Sequence, residues 1–240
     1  MYDFIILGAT FASAGLAHIL EKRCLIIEES LQAGGEFYSA LNFGKDYYSL
    51  VKNTESEKLK ELFISKGVYG SDSFIYPYLS KADLLFGTSV LSINSTDLGF
   101  LCSVHSVEGF ETFEAKNIID TRSNENISIS KSFNLLFESK IIPENLGVEF
   151  EKAFMENHYI LKITVPLCYG YYEARKDAIK VIEKFTDEQK LIISASTFDY
   201  EVKPDYKQCS NGIINLPSKV FSNPVLSFDA GINVGKELSL

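Results

Sequence analysis

The first residues that could do chemistry form a short turn near the start of the chain. Residues 8–13 read Gly-Ala-Thr-Phe-Ala-Ser and follow the apolar run 3–7, while Glu28 ends a second apolar run at 24–27. Backbone N–H groups at a helix start, together with the helix dipole, hold phosphate oxygens. A carboxylate at the end of the second strand accepts hydrogen bonds from ribose hydroxyls. This spacing is typical of a dinucleotide site.

The turn departs from the pattern Gly-x-Gly-x-x-Gly at two of its three positions. Thr10 stands where a glycine lets the backbone approach a phosphate, and Ser13 stands where a glycine lets helix and strand pack closely. Ser13 is small enough for that role, whereas the Thr10 side chain has to point away or donate its hydroxyl to a phosphate oxygen. From the turn alone, a strand–helix connection without any ligand is an equal alternative.

Hydrophobic patterning predicts the elements that must position this turn. The run at 3–7, a helix at 11–22 and the run at 24–27 form a strand–turn–helix–strand unit, which starts a parallel sheet. Residues 54–57 have the capping-box pattern, which predicts a helix to about residue 65 that is closed by Gly67. Further predictions are an antiparallel meander of strands at 85–93, 100–107 and 113–119, strands at 133–137, 158–165, 191–198, 213–216 and 225–228, and helices at 174–185 and 231–240.

Composition and charge exclude several classes of partner. The chain has 240 residues and a net charge of −9, so it offers no basic face for nucleic acid. It contains no apolar window of about 18 residues, so we expect no membrane span. Cys24, Cys102, Cys168 and Cys209 form no CxxC pair, and we predict no metal site. Because the chain starts directly in a strand, we expect a cytoplasmic protein with free thiols.

Several segments resemble the glutathione-reductase-like FAD-dependent oxidoreductases, a superfamily of FAD/NAD(P)-binding Rossmann-type flavoproteins that includes amine oxidases and aromatic hydroxylases. Residues 25–28, Leu-Ile-Ile-Glu, and 33–35, Ala-Gly-Gly, resemble the second strand and "GG" loop of that family. Glu36 stands where many members have Arg, Lys or Thr. The predicted meander resembles their crossover sheet.

Two later segments extend this resemblance. Residues 115–121 are similar to the segment "A-x-x-V-I-x-A-T-G", with Asp120 in place of Ala and Arg122 in place of Gly. Residues 223–231 are similar to "N-x-x-x-x-G-D-A", in which the aspartate binds the ribityl chain; Asp229 matches and Phe228 replaces the Gly. The position of Asp229 between an apolar strand and a Gly-led helix also suits a ligand, with a simple helix N-cap as the alternative.

The resemblance implies an α/β fold: a Rossmann-type parallel sheet with an antiparallel β-meander and a small β-rich substrate-covering region. The FAD-binding domain would comprise residues 1–122 and 212–240, and the substrate-covering region residues 123–211. The cofactor contacts that it implies are Gly8, Ala9, Thr10, Phe11, Ala12, Ser13, Glu28, Glu29, Gly35, Glu36, Val90, Thr121, Asp229 and Ile232. A second strand–glycine turn–helix unit is lacking, which argues against a pyridine-nucleotide disulfide reductase.

The predicted substrate region offers three candidate catalytic residues. Tyr169 and Tyr171 flank Gly170 and could form an aromatic wall whose hydroxyls polarise a substrate. His158 begins a predicted strand and is the histidine that we predict as an acid–base group. The alternative is a structural tyrosine-rich turn followed by a solvated helix that bears Arg175.

Two functional hypotheses follow from these observations. The first is an FAD-dependent oxidoreductase that acts on a small-molecule substrate by hydride transfer. Its site would be shallow, and a second copy of this chain or another protein subunit could complete it. The second is a non-catalytic accessory protein with a degenerate Rossmann fold, which binds FAD or no flavin. The altered residues Thr10, Arg122 and Phe228 favour the second hypothesis.

Overall fold

The computed structural model describes residues 1–42, 44–66, 72–140, 148–153, 155–185, 191–203, 209–210 and 212–240. The strands are β1 Tyr2–Leu7, β2 Cys24–Ile27, β3 Asp83–Leu85, β4 Ser89–Thr96, β5 Gly99–Ser106, β6 Gly109–Asp120, β7 Ser128–Glu138, β8 Glu149–Lys152, β9 His158–Val165, β10 Leu191–Val202, β11 Cys209–Ser210 and β12 Ile213–Asn215. The helices are α1 Phe11–Leu20, α2 Thr54–Lys66, α3 Asp72–Leu79, α4 Tyr171–Ile182 and α5 Pro224–Leu238.

The first sheet has the strand order β11-β12-β6-β1-β2-β3. The strands β12, β6, β1, β2 and β3 are parallel, and β11 runs antiparallel to β12. Apolar runs such as those of β1 and β2 form strands that are buried on both faces, which is typical of a parallel sheet. Their carboxyl ends therefore lie at one edge, where α/β sheets bind ligands. The predicted α/β fold of the Rossmann type is confirmed.

The long strand β6 joins the parallel sheet to the meander. Its first half pairs antiparallel with β5, which pairs in turn with β4. From Ala115 onward it pairs in parallel with β1. The predicted antiparallel meander is therefore confirmed, although the predicted strand at 85–93 is two strands, β3 and β4, separated by Phe86–Thr88.

Helix α1 is buried because two helices cover the side that faces away from the sheet. It packs against α3 and, most closely, against α5. A Cβ atom at Gly15 would collide with the carbonyl oxygen of Phe228, and one at Gly231 would collide with the carbonyl oxygen of Ala12. This crossing therefore needs glycine at both positions, and it fixes α5 beside the first strand–helix unit.

The second sheet has the order β10-β7-β9-β8 and is antiparallel. Helix α4 covers one face, where Phe133, Phe137 and Leu161 form a second apolar core. The opposite face contacts the first part of the chain: Asn134 Nδ2 donates to Ala40 O at 2.8 Å, and the Thr197 N–H donates to Ser39 O at 2.8 Å. The strands of this sheet come from the middle of the chain, and the proposed division into two domains stays a prediction.

Several predicted elements need correction. The predicted strand at 225–228 is wrong, because these residues lie in the first turns of α5. Helix α4 begins at Tyr171, three residues before the predicted start, and α3, which contains Pro77, is a further helix that was not predicted. Gly67, predicted to end α2, lies outside the described residues. Cys24, Cys102 and Cys168 are free thiols. None of the described helices is long and apolar enough to cross a membrane.

Candidate nucleotide-binding cleft

A cavity of about 360 Å³ opens at the carboxyl ends of the parallel strands. Its volume falls within the range of small-molecule sites. The walls come from the segments that follow β1, β2, β3, β6 and β12, together with one side of β10. The lining residues are Thr10, Ile27, Glu28, Glu29, Ser30, Gln32, Gly35, Glu36, Ser39, Thr88, Val90, Arg122, Ser123, Thr197, Phe198, Tyr200 and Lys219.

The turn after β1 requires glycine at its first position. Gly8 has a φ of +94°, and a Cβ atom there would lie 2.8 Å from Arg122 Cγ. Its N–H donates to Ile27 O at 2.8 Å, which ties the turn to the end of β2. Gly34 approaches from the other side: its N–H donates to Ala9 O at 2.8 Å. The predicted loop at 33–35 therefore lies directly against the turn.

Thr10 takes the helix-capping role rather than facing open space. Its Oγ1 accepts a hydrogen bond from the Ser13 N–H at 3.1 Å and donates to Thr121 Oγ1 at 2.9 Å. Thr121 Oγ1 donates in turn to Leu7 O at 2.8 Å. Thr10 is only 5% exposed. The residue that replaces the second glycine therefore stabilises the start of α1.

Glu28 faces the same turn from the end of β2. Its Oε2 accepts a hydrogen bond from the Ala9 N–H and its Oε1 accepts one from the Ser30 N–H, both at 2.8 Å. The neighbouring Glu29 accepts a hydrogen bond from Ser89 Oγ at 3.1 Å. With Val90, these acids form the side of the cavity near β2 and β4. A carboxylate held in this way can accept hydrogen bonds from sugar hydroxyls.

The side chain of Glu36 lies against the amino-terminal end of α1. Its Oε1 accepts hydrogen bonds from the Phe11 N–H at 2.9 Å and from Ser218 Oγ at 2.6 Å. Burial raises the pKa of the Glu36 carboxyl above its ordinary value, while these hydrogen bonds and the nearby charge of Lys219 oppose that shift. The free N–H groups at the start of α1 are thus partly used by a side chain of the protein itself.

Both cations that line the cavity have a partner in the protein. Lys219 Nζ lies 2.9 Å from Asp199 Oδ1, and these side chains are only 7% and 5% exposed. Asn42 Nδ2 donates to the other oxygen of Asp199 at 2.8 Å. Arg122 forms a two-point contact with Asp120. The wall therefore offers three acids, Glu28, Glu29 and Glu36, against two paired cations.

The structure brings some of the predicted cofactor contacts to the cavity and leaves others elsewhere. Thr10, Glu28, Glu29, Gly35, Glu36 and Val90 line it. The others form or support the turn beside it and are buried: Gly8, Ala9, Phe11, Ala12, Ser13 and Thr121. Ile232 lies on α5, packed against α1 at the contact with Gly15.

Asp229 lies in the interior of α5, so the predicted strand-end position is wrong, and so is the N-cap alternative. The N-cap is Asn223, whose side chain accepts from the Leu226 N–H. Asp229 Oδ1 instead accepts hydrogen bonds from the Asn53 N–H at 3.1 Å and from Asn53 Nδ2 at 2.8 Å, and both of its oxygens accept from the Lys52 N–H. Although burial opposes ionisation, these hydrogen bonds hold the pKa of Asp229 below its usual value. In the described structure, its carboxylate holds the segment that precedes α2.

None of the three predicted catalytic residues lines the cavity. Tyr171 begins α4 and stacks on Phe198, with 4.5 Å between ring centroids. Tyr169 packs in the second core, and its carbonyl oxygen accepts from the buried Lys131 Nζ at 2.6 Å. His158 begins β9 opposite Glu138, and its Nδ1 has no hydrogen-bond partner among the described residues. Tyr171 is thus the one that contacts a lining residue.

Other residues of the cavity were not found from the sequence. Lys219 follows β12, with the buried Ser218 directly before it, and Phe198 and Tyr200 lie on β10. The signal for the first two was their place directly after the last parallel strand, because ligands bind where such strands end. Phe198 and Tyr200 lie at the end of a long strand in the second sheet and carry no local motif.

The parallel sheet and the meander form a fold that is also found in solved structures of FAD-dependent hydroxylases and oxidoreductases. No protein-family model matches the chain, and no curated protein matches its sequence. Solved structures with the same fold do match, at 9–12% sequence identity.

Three of these structures illustrate the likeness. The anhydrotetracycline hydroxylase from Streptomyces rimosus has a TM-score of 0.63 and 12% identity, over 99% of this chain and 62% of that one. Aklavinone-11 hydroxylase, solved as a ternary complex with FAD and aklavinone, has a TM-score of 0.57 and 10% identity, over 99% and 61%. Glycine oxidase from Geobacillus kaustophilus has a TM-score of 0.57 and 11% identity, over 99% and 93%. The chain thus spans about 62% of the length of the hydroxylases, and the likeness shows the fold.

The cleft fits one half of FAD better than the other. Glu28 ends up in the cavity wall at the end of β2, the place from which a carboxylate could bind a ribose, and the turn is built as a helix start. At the diphosphate position one backbone donor is already used in the described conformation, because the Glu36 carboxyl accepts the Phe11 N–H. The segment after β12 provides Ser218 and Lys219, and the aspartate expected for the ribityl chain lies elsewhere.

Proposed function

We propose that this chain binds FAD in the cleft at the carboxyl edge of the parallel sheet and belongs functionally to the FAD-dependent oxidoreductases. The observation that supports this most is the position of Glu28. It ends β2, and its carboxylate lies against the turn between β1 and α1, in a fold shared with an aklavinone hydroxylase that was solved with FAD. This is where a Rossmann-type fold places the acid that binds the ribose.

The proposed reaction class is hydride transfer to or from a small-molecule substrate, which is the chemistry that a bound flavin supplies. The residues of this chain would bind and orient. Glu28 would hold the ribose, and Phe198 and Tyr200 of β10 would offer an aromatic wall on the side of the second sheet. Tyr171 stacks on Phe198 and is therefore a candidate positioning residue for that wall. Tyr169 and His158 stay predictions as catalytic groups.

A second candidate function is that of a flavin-free accessory protein with this fold. It is favoured by one specific observation, the hydrogen bond from the Phe11 N–H to Glu36, which uses part of the anion-binding capacity of the helix start. A protein of this kind would keep the fold for contacts with another subunit. The two candidates make opposite statements about the binding of FAD.

A titration of the purified protein with FAD separates these candidates. The proposed function requires saturable binding with one FAD per chain, seen as a change in the visible absorption of the flavin. Fast reoxidation by an acceptor after photoreduction would further support an oxidoreductase. Absence of binding at FAD concentrations far above those in cells would favour the accessory protein.

A further inference from the structure

The Glu36 carboxylate receives hydrogen bonds from two segments that converge on the mouth of the turn. One donor is the Phe11 N–H in the first turn of α1, and the other is Ser218 Oγ in the segment that follows β12. Backbone N–H groups at a helix start and nearby hydroxyls are the donors that commonly hold phosphate oxygens in such folds. The carboxylate of Glu36 therefore has the surroundings of a bound phosphate.

Desolvation and hydrogen bonding distinguish this contact of Glu36 from a chance contact at the protein surface. Glu36 lines the cavity and is only partly exposed, and desolvation of its carboxyl group raises its pKa. Desolvation of a carboxylate is costly unless it is hydrogen-bonded, and the two hydrogen bonds that Oε1 accepts offset part of that cost. The neighbouring loop is held in place because the Gly34 N–H donates to Ala9 O.

The charged groups that face Glu36 do not provide a free cation for a second anion. The charge of Lys219 lowers the pKa of Glu36, but Lys219 is paired with the buried Asp199. Arg122, on the β6 side of the cavity, is paired with Asp120. Glu28 adds a further negative charge from the β2 side of the turn. A diphosphate entering beside Glu36 would meet like charge, which opposes its binding.

We infer that Glu36 is a built-in occupant of the diphosphate position and thereby a specificity-determining residue of the cleft. The cleft takes the nucleoside part of a ligand beside Glu28 without hindrance, whereas a ligand with a diphosphate has to displace or neutralise the Glu36 carboxylate. The inference rests on the proposed function, because FAD bound in this cleft would have its diphosphate at the start of α1. It goes further because it assigns Glu36 as the residue that sets the affinity for phosphate-bearing ligands.

The test uses ADP and adenosine as probes, because they differ only in the diphosphate. Calorimetric titrations compare the wild-type protein with Glu36→Ala, which removes both the charge and the hydrogen-bond acceptor. The expected result is that Glu36→Ala binds ADP about ten-fold more tightly or better, while adenosine affinity changes by less than about two-fold. The matched control is Glu111→Ala, which removes an exposed carboxylate on β6 and should leave the affinity for both ligands unchanged.

Glu36→Gln removes the charge of the side chain but keeps its size and its acceptor for the Phe11 N–H. It therefore separates the effect of the charge from the effect of the occupied N–H group. Its amide oxygen still accepts from the Phe11 N–H, so its gain in ADP affinity should be smaller than that of Glu36→Ala. A readout that needs no variant is the Phe11 amide resonance of the wild-type protein. It should shift when ADP displaces the carboxylate and stay in place with adenosine.

Equal ADP affinity of the wild-type protein and Glu36→Ala would overturn the inference, and so would an equal gain for adenosine. A failure of this inference can be distinguished from a failure of the proposed function. The inference is tested by the affinities for ADP and adenosine, whereas the proposed function is tested by the binding of FAD. If the wild-type protein binds FAD and Glu36→Ala gains no ADP affinity, the inference fails alone. If Glu36→Ala gains ADP affinity and no variant binds FAD, the proposed function fails alone.

Discussion

Lys219 and Asp199 form an ion pair of 2.9 Å that joins the segment after β12 to strand β10 of the second sheet. Both side chains are almost fully buried, and Asn42 Nδ2 supplies a further hydrogen bond to the carboxylate. Lys219 Nζ also lies 4.5 Å from the centroid of the Phe37 ring. The pair thus fixes the position of the second sheet over the cleft.

Removal of one partner of this pair should be strongly destabilising. Asp199→Ala leaves Lys219 with an unpaired buried charge, and breaking such a pair costs about 3–5 kcal/mol. The double variant Lys219→Met with Asp199→Ala should recover part of that loss because no charge remains uncompensated. The free energy of unfolding in urea measures both effects. An Asp199→Ala protein as stable as the wild-type protein would show that the pair is not formed in solution.

Glu28→Ala should weaken nucleotide binding without unfolding the protein. The lost hydrogen bonds to the ribose should reduce FAD affinity by about 1.5–3 kcal/mol, because they are charge-assisted. Adenosine should lose a similar amount, since it has the same ribose, and a calorimetric titration measures both. The Glu111→Ala variant serves as the control for net charge. Unchanged affinity for adenosine would mean that the ribose does not contact Glu28.

Thr10→Ala should lower stability through the start of α1. The variant loses the hydrogen bond from the Ser13 N–H and the link to Thr121 Oγ1, and loss of an N-cap of this type costs about 1 kcal/mol. Thr10→Ser keeps the hydroxyl and should recover most of the loss. The urea midpoint measures the difference. A variant Thr10→Ala as stable as the wild-type protein would contradict the capping role.

Gly15→Ala should disrupt the crossing of α1 and α5. The new methyl group would collide with the backbone carbonyl of Phe228, and backbone cannot move as easily as a side chain, so we expect a loss of about 3 kcal/mol or failure to fold. Gly235→Ala, on the α5 side of the same helix crossing, is the graded control. Its methyl group would lie 3.0 Å from the Ile19 side chain, and its cost should be smaller. Soluble yield and thermal unfolding report both variants, and equal losses would argue against this crossing.

Glu36→Gln should change the pH dependence of stability in a defined direction. Burial raises the pKa of Glu36 in the folded protein above its ordinary value of 4.5, so the folded state binds more protons than the unfolded state between the two values. Stability of the wild-type protein is therefore lost as pH rises through the folded pKa, and Glu36→Gln lacks this loss. The variant should be the more stable protein at neutral pH, and its advantage should disappear as pH falls towards 4.5. A constant difference across this range, measured by urea unfolding, would contradict burial of an ionisable carboxyl at this site.

The first strand–helix–strand unit was predictable because its signals are local. Continuous apolar runs, one glycine turn and a terminal glutamate define β1, α1 and β2 within 28 residues. The strands of the meander were found from the turns between them. Local patterning was enough for these elements because each is specified by residues adjacent in the sequence.

The terminal segment shows where such patterning fails. A short apolar run does not distinguish a buried helix from a strand, and residues 225–228 were assigned to a strand on that basis. The helix signals were Asn223 as N-cap and Pro224 at the first helical position. The residue that lines the cleft after the last parallel strand is instead Lys219, which follows β12.

The sequence alone shows Glu36 only as an acid where many members of the resembled family have Arg, Lys or Thr. Its hydrogen bond to the Phe11 N–H depends on how the loop at 33–36 folds back over the turn, which is set by tertiary contacts such as Gly34 with Ala9. The same holds for the ion pair of Lys219, whose partner comes from the second sheet. Long-range pairing, rather than residue type, decides which side chains form this site.

The most direct test of the central claim is a crystal structure of the Glu36→Ala protein grown with excess FAD. The account predicts the FAD ribose within hydrogen-bond distance of the Glu28 carboxylate and a diphosphate oxygen on the Phe11 N–H. FAD bound elsewhere, or a cleft without nucleotide in the presence of that excess, would contradict it.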